Sequence, residues 1–442
     1  MKIRDTRYAK TPDGAYIAYQ TTGDGPLDLV WQFDWFGNVD VIWEDSPLGD
    51  FLTAAARFSR VILHDRRGTG LSSRNVPVPA LETRIADLRC VLDAVGATRP
   101  VLAGSREGAS PNALLAATEP DRVRSLIWHA PSARSVWTPD YPWGVKPEYV
   151  ELDKRSLDQW GTAAYGRAFI EAEAAGEHEV NDGEEAMLGL LSRHTTTPDV
   201  ARELARVWYE TDIRDVLRVV RIPTLLIAHE EDEAMAGEAE YIASIMPEAT
   251  LRIMSGREST LDPREVAEII REFIGAEAPV DLDTVLSTIL FTDIVGSTAR
   301  QAALGDRAWK DLIERHHEIV RRALMRWHGV ENDTAGDGFY ATFDGPARAI
   351  RCGLEITERV RELGVEVRAG VHTGECEIVD GKHAGITVSI GARVASHASA
   401  SEVLVSQTVK DLVAGSGLAF DDAGEHELKG VPDRWRLYRA TT

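Results

Sequence analysis

Short apolar runs alternate with helical patterns along the first two thirds of the chain. The runs predict strands over 27–33, 60–64, 99–103, 123–129, 222–229 and 250–254. Apolar residues at helical spacing predict helices over 48–57, 81–95, 107–118 and 263–274. Strands and helices in alternation predict an α/β fold, with a mostly parallel sheet covered on both faces.

The alternation stops between about residues 131 and 220. This segment contains Trp137, Trp143, Trp160 and Trp208 among further helical patterns. We interpret it as a helical lid inserted at the top of the sheet.

Residues 275–284 are small, acidic and include a proline, which is typical of a linker. The pattern therefore predicts a first domain over 1–274 and a second over 285–442. The pattern of the second domain predicts a strand over 285–293, one long helix over 298–327, strands within 332–343 and a helix over 346–363. A strand over 365–373, a helix over 386–398 and a terminal hairpin follow. This order predicts an α+β domain with helices on one face of an antiparallel sheet.

Composition narrows the function classes. The 442 residues carry a net charge of −22, of which −18 falls on residues 1–284 and −4 on 285–442. Such an acidic first part argues against nucleic acid or an anionic membrane as a partner. Three distant cysteines predict no disulfide framework, and no apolar run reaches the roughly 20 residues of a membrane span. We expect a cytoplasmic protein.

A candidate active-site turn lies at Gly104-Ser-Arg-Glu-Gly108, between a predicted strand and a predicted helix. With the turn from His64 to Ser72 and the lid, it resembles the α/β-hydrolase family, in which a strained turn presents a serine nucleophile. Arg106 occupies the middle of this turn, and Ser105 comes one residue early. An arginine stays protonated and cannot attack a carbonyl.

The resemblance also places the acid and the base of the family's catalytic triad. Asp232 fits the acid, whereas Ser259 stands where the histidine is expected, and no histidine lies between His229 and His316. We therefore predict a catalytically dead hydrolase-like domain. It serves either as a sensor of a small apolar or carboxylate ligand, paired with Arg106, or as a scaffold that supports a dimer.

Two motifs of the second domain contain candidate metal-binding aspartates. Asp293 lies in Phe291-Thr-Asp-Ile-Val-Gly-Ser-Thr298, at a predicted strand end, and Asp337 lies in Ala335-Gly-Asp-Gly-Phe339, in a predicted turn. Two such carboxylates at one sheet edge can hold two divalent cations about 4 Å apart. Gly296, Ser297 and Thr298 begin a helix whose N–H groups suit phosphates.

Together with Gly385 to Val394 and Glu402 to Ser406, these motifs closely resemble the class III adenylyl and guanylyl cyclases. The resemblance implies a ferredoxin-like domain that converts ATP to 3′,5′-cyclic AMP and pyrophosphate. It implies that Asp293, Asp337 and the Ile294 carbonyl hold two Mg²⁺ or Mn²⁺ ions. It further implies that Arg393 stabilises the transition state, that Lys429 contacts the triphosphate, and that each site is built across a homodimer.

Three positions depart from the family pattern. Asp333 stands where adenylyl cyclases have a purine-reading lysine, Lys382 where they have an aspartate or a threonine, and Ser389 where they have an asparagine. Asp333 and Lys382 either read the purine with exchanged roles or pair with each other and block the pocket. We expect a slow or poorly selective cyclase, acting on ATP or also GTP. The alternatives are an inactive nucleotide-binding sensor and a hydrolase with an unusual nucleophile. His316 and His317 are interpreted as solvated helix positions.

Overall fold

A computed structural model of the chain describes residues 4–34, 37–43, 46–173, 182–257, 262–276, 284–379 and 382–441. The chain divides into two compact units, Met1–Leu282 and Asp283–Thr442. Within the described ranges, no helix is both long enough and apolar enough to cross a membrane.

The first unit is built on an eight-stranded sheet in the order β1-β2-β4-β3-β5-β6-β7-β8. β1–β2 and β2–β4 pair antiparallel, and the pairs from β4–β3 to β7–β8 are parallel. The strands are β1 (Arg7–Lys10), β2 (Tyr16–Thr22), β3 (Asp28–Gln32), β4 (Arg60–His64), β5 (Val101–Arg106), β6 (Ser125–Pro131), β7 (Thr224–His229) and β8 (Ala249–Met254). The six predicted strands and the mostly parallel α/β sheet are confirmed, and β1 and β2 add an antiparallel edge.

Helices cover this sheet and form the insertion. They are α1 (Pro47–Ala55), α2 (Leu81–Val95), α3 (Ser110–Thr118), α4 (Pro147–Ser156), α5 (Ala163–Glu173), α6 (Asp182–Thr195), α7 (Pro198–Glu210), α8 (Arg214–Leu217), α9 (Glu233–Ile245) and α10 (Pro263–Ala276). The segment between β6 and β7 contains α4 to α8 and has its own apolar cluster around Trp160, Tyr165 and Leu204. α3 starts three residues later than predicted, because residues 107–109 form a tighter 3₁₀ turn.

The second unit has an eight-stranded sheet in the order β10-β11-β9-β12-β14-β16-β15, with β13 paired to β12. Its strands are β9 (Thr284–Ile294), β10 (Val330–Ala335), β11 (Gly338–Phe343), β12 (Val367–Val379), β13 (Lys382–Ala384), β14 (Val403–Ser406), β15 (Ala419–Glu427) and β16 (Arg434–Thr441). The helices are α11 (Ser297–Leu304), α12 (Asp306–Arg326), α13 (Pro346–Arg359), α14 (Ile386–His397) and α15 (Gln407–Leu412).

Three predicted details of the second unit are wrong. The sheet is not purely antiparallel, since β12 and β14 run parallel. The long helix over 298–327 is broken at Gly305, whose φ of 77° ends α11 before α12 begins. Helices also cover both faces: α12 and α13 pack on Leu290 and Ile294 of β9, whereas Gly391 of α14 faces Ile289 and Phe291 on the opposite side.

Candidate active site

Two carboxylates lie together at the end of β9. Asp293 is the penultimate residue of that strand, and Asp337 lies in the turn between β10 and β11, which pairs with β9 through Phe339 and Thr292. The backbone N–H of Ile294 donates to Asp337 Oδ2 at 3.0 Å. Antiparallel pairing of three strands thus brings together two acids that are 44 residues apart in the sequence.

The electrostatics of the pair are unfavourable without a counter-charge. Burial and the neighbouring Asp293 carboxylate both raise the pKa of Asp337. Arg368 of β12 partly compensates, since it lies opposite Asp293 and its Nη2 is 2.8 Å from Asp293 Oδ2. Sequence reasoning missed Arg368. The signal in the sequence was a cation in the middle of the predicted strand 365–373.

The donor set fits a hard divalent cation. Carboxylate oxygens suit Mg²⁺ and Mn²⁺, and Mg²⁺ is usually held by one or two carboxylates together with substrate phosphates. Across the described ranges, no group of three or more histidine, cysteine, aspartate or glutamate side chains is arranged to hold a metal. The pair Asp293 and Asp337 therefore needs oxygens from the substrate or from backbone carbonyls to complete a coordination sphere.

The start of α11 lies immediately after this pair. Gly296 has a φ of 70° and precedes the first helical residue, Ser297, with Thr298 next. The first N–H groups of a helix have no acceptor within the helix, so they form an anion-binding end. Gly296 and Thr298 are exposed and Ser297 is half-buried.

α14 carries Ser389 and Arg393 four residues apart, so they share one face of the helix. Both are exposed, while Ile390 and Val394 are buried against Leu428 and Leu437. Arg393 Nε donates to the backbone carbonyl of Lys429 at 3.1 Å. The structure thus brings Arg393 next to Lys429. No hydrogen bond or ion pair among the described residues joins Arg393 to Asp293 or Asp337.

Asp333 lies on β10 at a bulge between Glu331 and Asp333 and is exposed. It faces Tyr340 of β11 in register, and the Tyr340 hydroxyl donates to the His383 carbonyl of β13 at 3.3 Å. Lys382 begins β13 and pairs with Val379. Its side chain lies outside the described part of the structure. Tyr340 therefore links the Asp333 strand to the segment that contains Lys382.

The interpretation of His316 and His317 as solvated is wrong for His316. His316 is fully buried, and burial, with the neighbouring His317, lowers its pKa to about 4. His317 is half-buried, and its Nε2 lies 2.9 Å from the Gly336 carbonyl oxygen. Because α12 faces the β10–β11 hairpin, an amphipathic pattern alone could not show this contact.

The predicted elbow of the first unit has a strained backbone at Arg106, with a φ of 47° and a ψ of −133°. Positive φ is uncommon for a residue other than glycine. Trp128 Nε1 donates to the Arg106 carbonyl at 2.7 Å. The turn geometry that a hydrolase uses to present a nucleophile is therefore present here with arginine at its centre.

Two buried acids around this turn were missed from the sequence. Glu107 accepts from Arg66 Nη2 at 2.8 Å and from Arg84. Although burial opposes it, the two guanidinium groups hold the pKa of Glu107 at about 2. The signal available in the sequence was an acid directly after the elbow residue.

The second buried acid is Glu238 of α9, which accepts from the Tyr141 hydroxyl and from the Ala133 N–H at 3.0 Å. Burial raises the pKa of Glu238 to about 7, against these hydrogen bonds and the charge of Arg106. The charge of Arg106 therefore lies close to a carboxyl group that is only partly ionised near neutral pH.

The other predicted triad positions are less informative. Asp232 immediately precedes α9, in the short turn after β7, and is half-buried. Ser259 lies outside the described residues. The Nε2 atoms of His129, within β6, and of His229, the last residue of β7, lie 3.0 Å apart.

Comparison with known proteins finds similar proteins for both parts of the chain. Residues 282–440 match the family model of the adenylate and guanylate cyclase catalytic domain. A receptor-type adenylate cyclase of Trypanosoma brucei brucei is 26% identical over 203 residues, which cover 34% of this chain and 16% of that protein. A putative carbamate hydrolase RutD of Caulobacter sp. (strain K31) is 28% identical over 205 residues, or 44% of this chain and 71% of that protein.

A solved esterase from Exiguobacterium antarcticum shares the fold of the first part. It is 19% identical, with a TM-score of 0.52 over 62% of this chain and 100% of its own. At this identity the likeness concerns the fold alone. Both resemblances stated from the sequence, to a class III cyclase and to an α/β-hydrolase, are confirmed.

Proposed function

We propose that this chain, whose C-terminal part is a class III cyclase catalytic domain, is an adenylate cyclase that forms 3′,5′-cyclic AMP and pyrophosphate from ATP. The observation that carries the proposal is the pair Asp293 and Asp337 at one end of β9. In the reaction, the ribose 3′-oxygen forms a bond to the α-phosphorus. The bond from that phosphorus to the bridging oxygen breaks, pyrophosphate leaves with the electron pair, and the hydroxyl proton passes to solvent.

Asp293, Asp337 and the Ile294 carbonyl would hold two Mg²⁺ or Mn²⁺ ions. When bound, such ions lower the pKa of the attacking hydroxyl and neutralise charge on the triphosphate. The chain's own part is to hold the two acids in place, through the Ile294 N–H and the Arg368 guanidinium.

The main contribution of the protein to this reaction is to stabilise negative charge in the transition state, since the reaction needs no covalent bond to the protein. We assign it to Arg393, with Ser389 contacting ribose or phosphate, and Lys429 and the N–H groups of residues 296–298 contacting the triphosphate. Arg393 is exposed and, among the described residues, bonds to the Lys429 carbonyl and to neither aspartate, which supports a site shared between two copies of the chain. A homodimer would then have two such sites.

Base selection is assigned to Asp333 and to Lys382. The Tyr340 hydroxyl supports this, because it links the Asp333 strand to the β13 segment within one chain. ATP is the proposed substrate and GTP the alternative. The exchanged charges at these positions, with Ser389 in place of the family's asparagine, favour the second candidate function: a nucleotide-binding sensor without turnover.

We assign the first unit a regulatory role. Arginine at the elbow and the Glu107 ion cluster beside it support a hydrolase frame without hydrolase chemistry. Arg106 would anchor the carboxylate of a small ligand, and the aromatic side chains Tyr141, Trp143 and Tyr241, which contact one another, would line an apolar part.

The test is direct. The purified full-length chain is incubated with Mn²⁺ and either ATP or GTP, and cyclic nucleotide and pyrophosphate are measured. We expect slow formation of cyclic AMP. Nucleotide binding without product in either assay would favour the sensor without turnover. A serine-reactive fluorophosphonate probe should leave the protein unlabelled, and labelling that is lost in Ser105→Ala would restore the hydrolase alternative.

A further inference from the structure

His317 of α12 contacts the turn that carries Asp337. Its Nε2 lies 2.9 Å from the Gly336 carbonyl oxygen. A carbonyl oxygen only accepts, so this nitrogen is assigned the proton and donates. The donated bond joins a long helix to the peptide immediately before Asp337.

The imidazole ring is fixed from a second side. It stands edge-on to Phe339, with ring centroids 5.0 Å apart and an angle of 87° between the planes. Phe339 is buried and begins the pairing of β11 with Thr292 of β9. His317 therefore contacts the chain on both sides of Asp337, at Gly336 and at Phe339.

The hydrogen bond from His317 restrains a turn on which a repulsive force acts. Gly336 has a φ of 64°, and its carbonyl belongs to the peptide plane from which Asp337 begins. The carboxylates of Asp337 and Asp293 carry the same charge and lie together at the end of β9, so they repel each other. The Ile294 N–H holds the carboxylate end, while His317 holds the backbone end.

We propose that His317 is a positioning residue for the carboxylate pair: its hydrogen bond to Gly336 holds Asp337 against the repulsion of Asp293, so that both acids are ready for a divalent cation. The inference rests on the proposed function, because it takes the pair as a cation site. It assigns His317 no contact with substrate.

The experiment measures Mn²⁺ binding to the full-length chain from the free-ion signal in electron paramagnetic resonance, without turnover. His317→Gln keeps a nitrogen donor near the position of Nε2, and His317→Leu keeps an apolar contact with Phe339 but no donor. We expect His317→Leu to bind Mn²⁺ about 10-fold more weakly, as outer-shell partners commonly do when removed, and His317→Gln to stay within about threefold of wild type. In turnover, His317→Leu should raise the Mn²⁺ concentration needed for half-maximal rate more than it lowers kcat.

The matched control is His316→Leu, one residue earlier on α12. His316 also packs on Phe339, at 5.8 Å, but neither of its ring nitrogens has a hydrogen-bond partner. This variant should bind Mn²⁺ like wild type. An equal loss in both leucine variants would assign the effect to helix packing and overturn the inference.

Two other outcomes separate the inference from its premise. Wild-type protein that binds Mn²⁺, with His317→Leu of the same affinity, would overturn the role of His317 and leave the proposed cyclase intact. Wild-type protein that binds no Mn²⁺ and forms no cyclic nucleotide would overturn both.

Discussion

Asp337 combines a stability cost with a proposed function in one side chain. Burial and Asp293 raise its pKa, so the folded state favours the protonated acid, and its ionised form opposes folding more strongly as the pH rises. An asparagine oxygen can still accept from the Ile294 N–H. The negative charge of Asp337 is thus required for binding the proposed cations, although it lowers the stability of the folded state.

Asp337→Asn should therefore abolish cyclic nucleotide formation and slightly stabilise the second unit. Because Asp337 is only half-buried and solvent screens its charge, we expect a gain of about 1 kcal/mol or less at pH 8, shrinking as the pH falls. Chemical denaturation at pH 8 and pH 5, with an activity assay, checks both effects. Retained wild-type turnover would contradict the assignment of Asp337 to the cation pair.

Glu238 is a similar case in the first unit. Its pKa of about 7 in the folded state lies above the 4.5 that is ordinary for a glutamate, because the carboxyl group is buried. The unfolded chain therefore loses its proton first as the pH rises, and the stability contributed by this group falls between about pH 4.5 and pH 7.

Glu238→Gln should remove this dependence, since its carbonyl oxygen can accept from Tyr141 and Ala133. We expect the variant to be more stable than wild type at pH 8, by on the order of 2 kcal/mol, and nearly equal at pH 4.5. Denaturation curves at several pH values measure the difference. A constant difference across that range would mean that Glu238 does not titrate as described.

At the scale of elements, α14 is placed by one glycine on β12. A Cβ added to Gly370 would lie 2.1 Å from the backbone nitrogen of Ala395 and 2.4 Å from its Cα. Backbone atoms cannot give way as a flexible side chain can. The close approach of helix to strand, and with it the place of Arg393, therefore depends on the missing side chain.

Gly370→Ala should destabilise the second unit by about 3 kcal/mol and lower kcat through displacement of Arg393. Gly353→Ala on α13 is the control, because a Cβ there would make an ordinary contact of 3.4 Å with Val403. We expect the control to be neutral or slightly stabilising, as alanine favours helix. Thermal unfolding and steady-state kinetics of both variants check this, and equal behaviour would argue against the close approach.

The elements also show what the sequence could predict. The six core strands were found because each is a short apolar run, whereas β2 was missed because Tyr16–Thr22 mixes polar residues with apolar ones. The aspartates were found because they lie in short motifs beside glycines. Arg368 and His317 were missed because their contacts depend on strand register and on helix packing, which join residues far apart in the chain.

At the scale of the whole molecule, the proposed site needs two copies of the chain. One variant that lacks Arg393 and one that lacks Asp337 should each be inactive. In a mixed dimer, one site would lose both groups while the other kept both.

Mixing Arg393→Ala with Asp337→Ala should therefore restore activity, up to about a quarter of wild type if subunits exchange at random. The measurement is cyclic nucleotide formation as a function of mixing ratio, with subunit exchange followed by differently tagged chains. Proven exchange without any recovery would contradict a site shared between two chains.

The strained turn at Arg106 also bears on how many substitutions the first unit tolerates. A residue other than glycine held in a sparsely populated conformation costs about 1–3 kcal/mol, and a whole domain is stable by only about 5–15 kcal/mol. The strained turn thus lowers the stability of the hydrolase-like unit, although arginine and not serine occupies its centre. The unit therefore tolerates fewer destabilising substitutions. A modest packing defect far from Arg106 leaves it with a smaller free energy of unfolding than the same defect would leave in a domain with an unstrained turn.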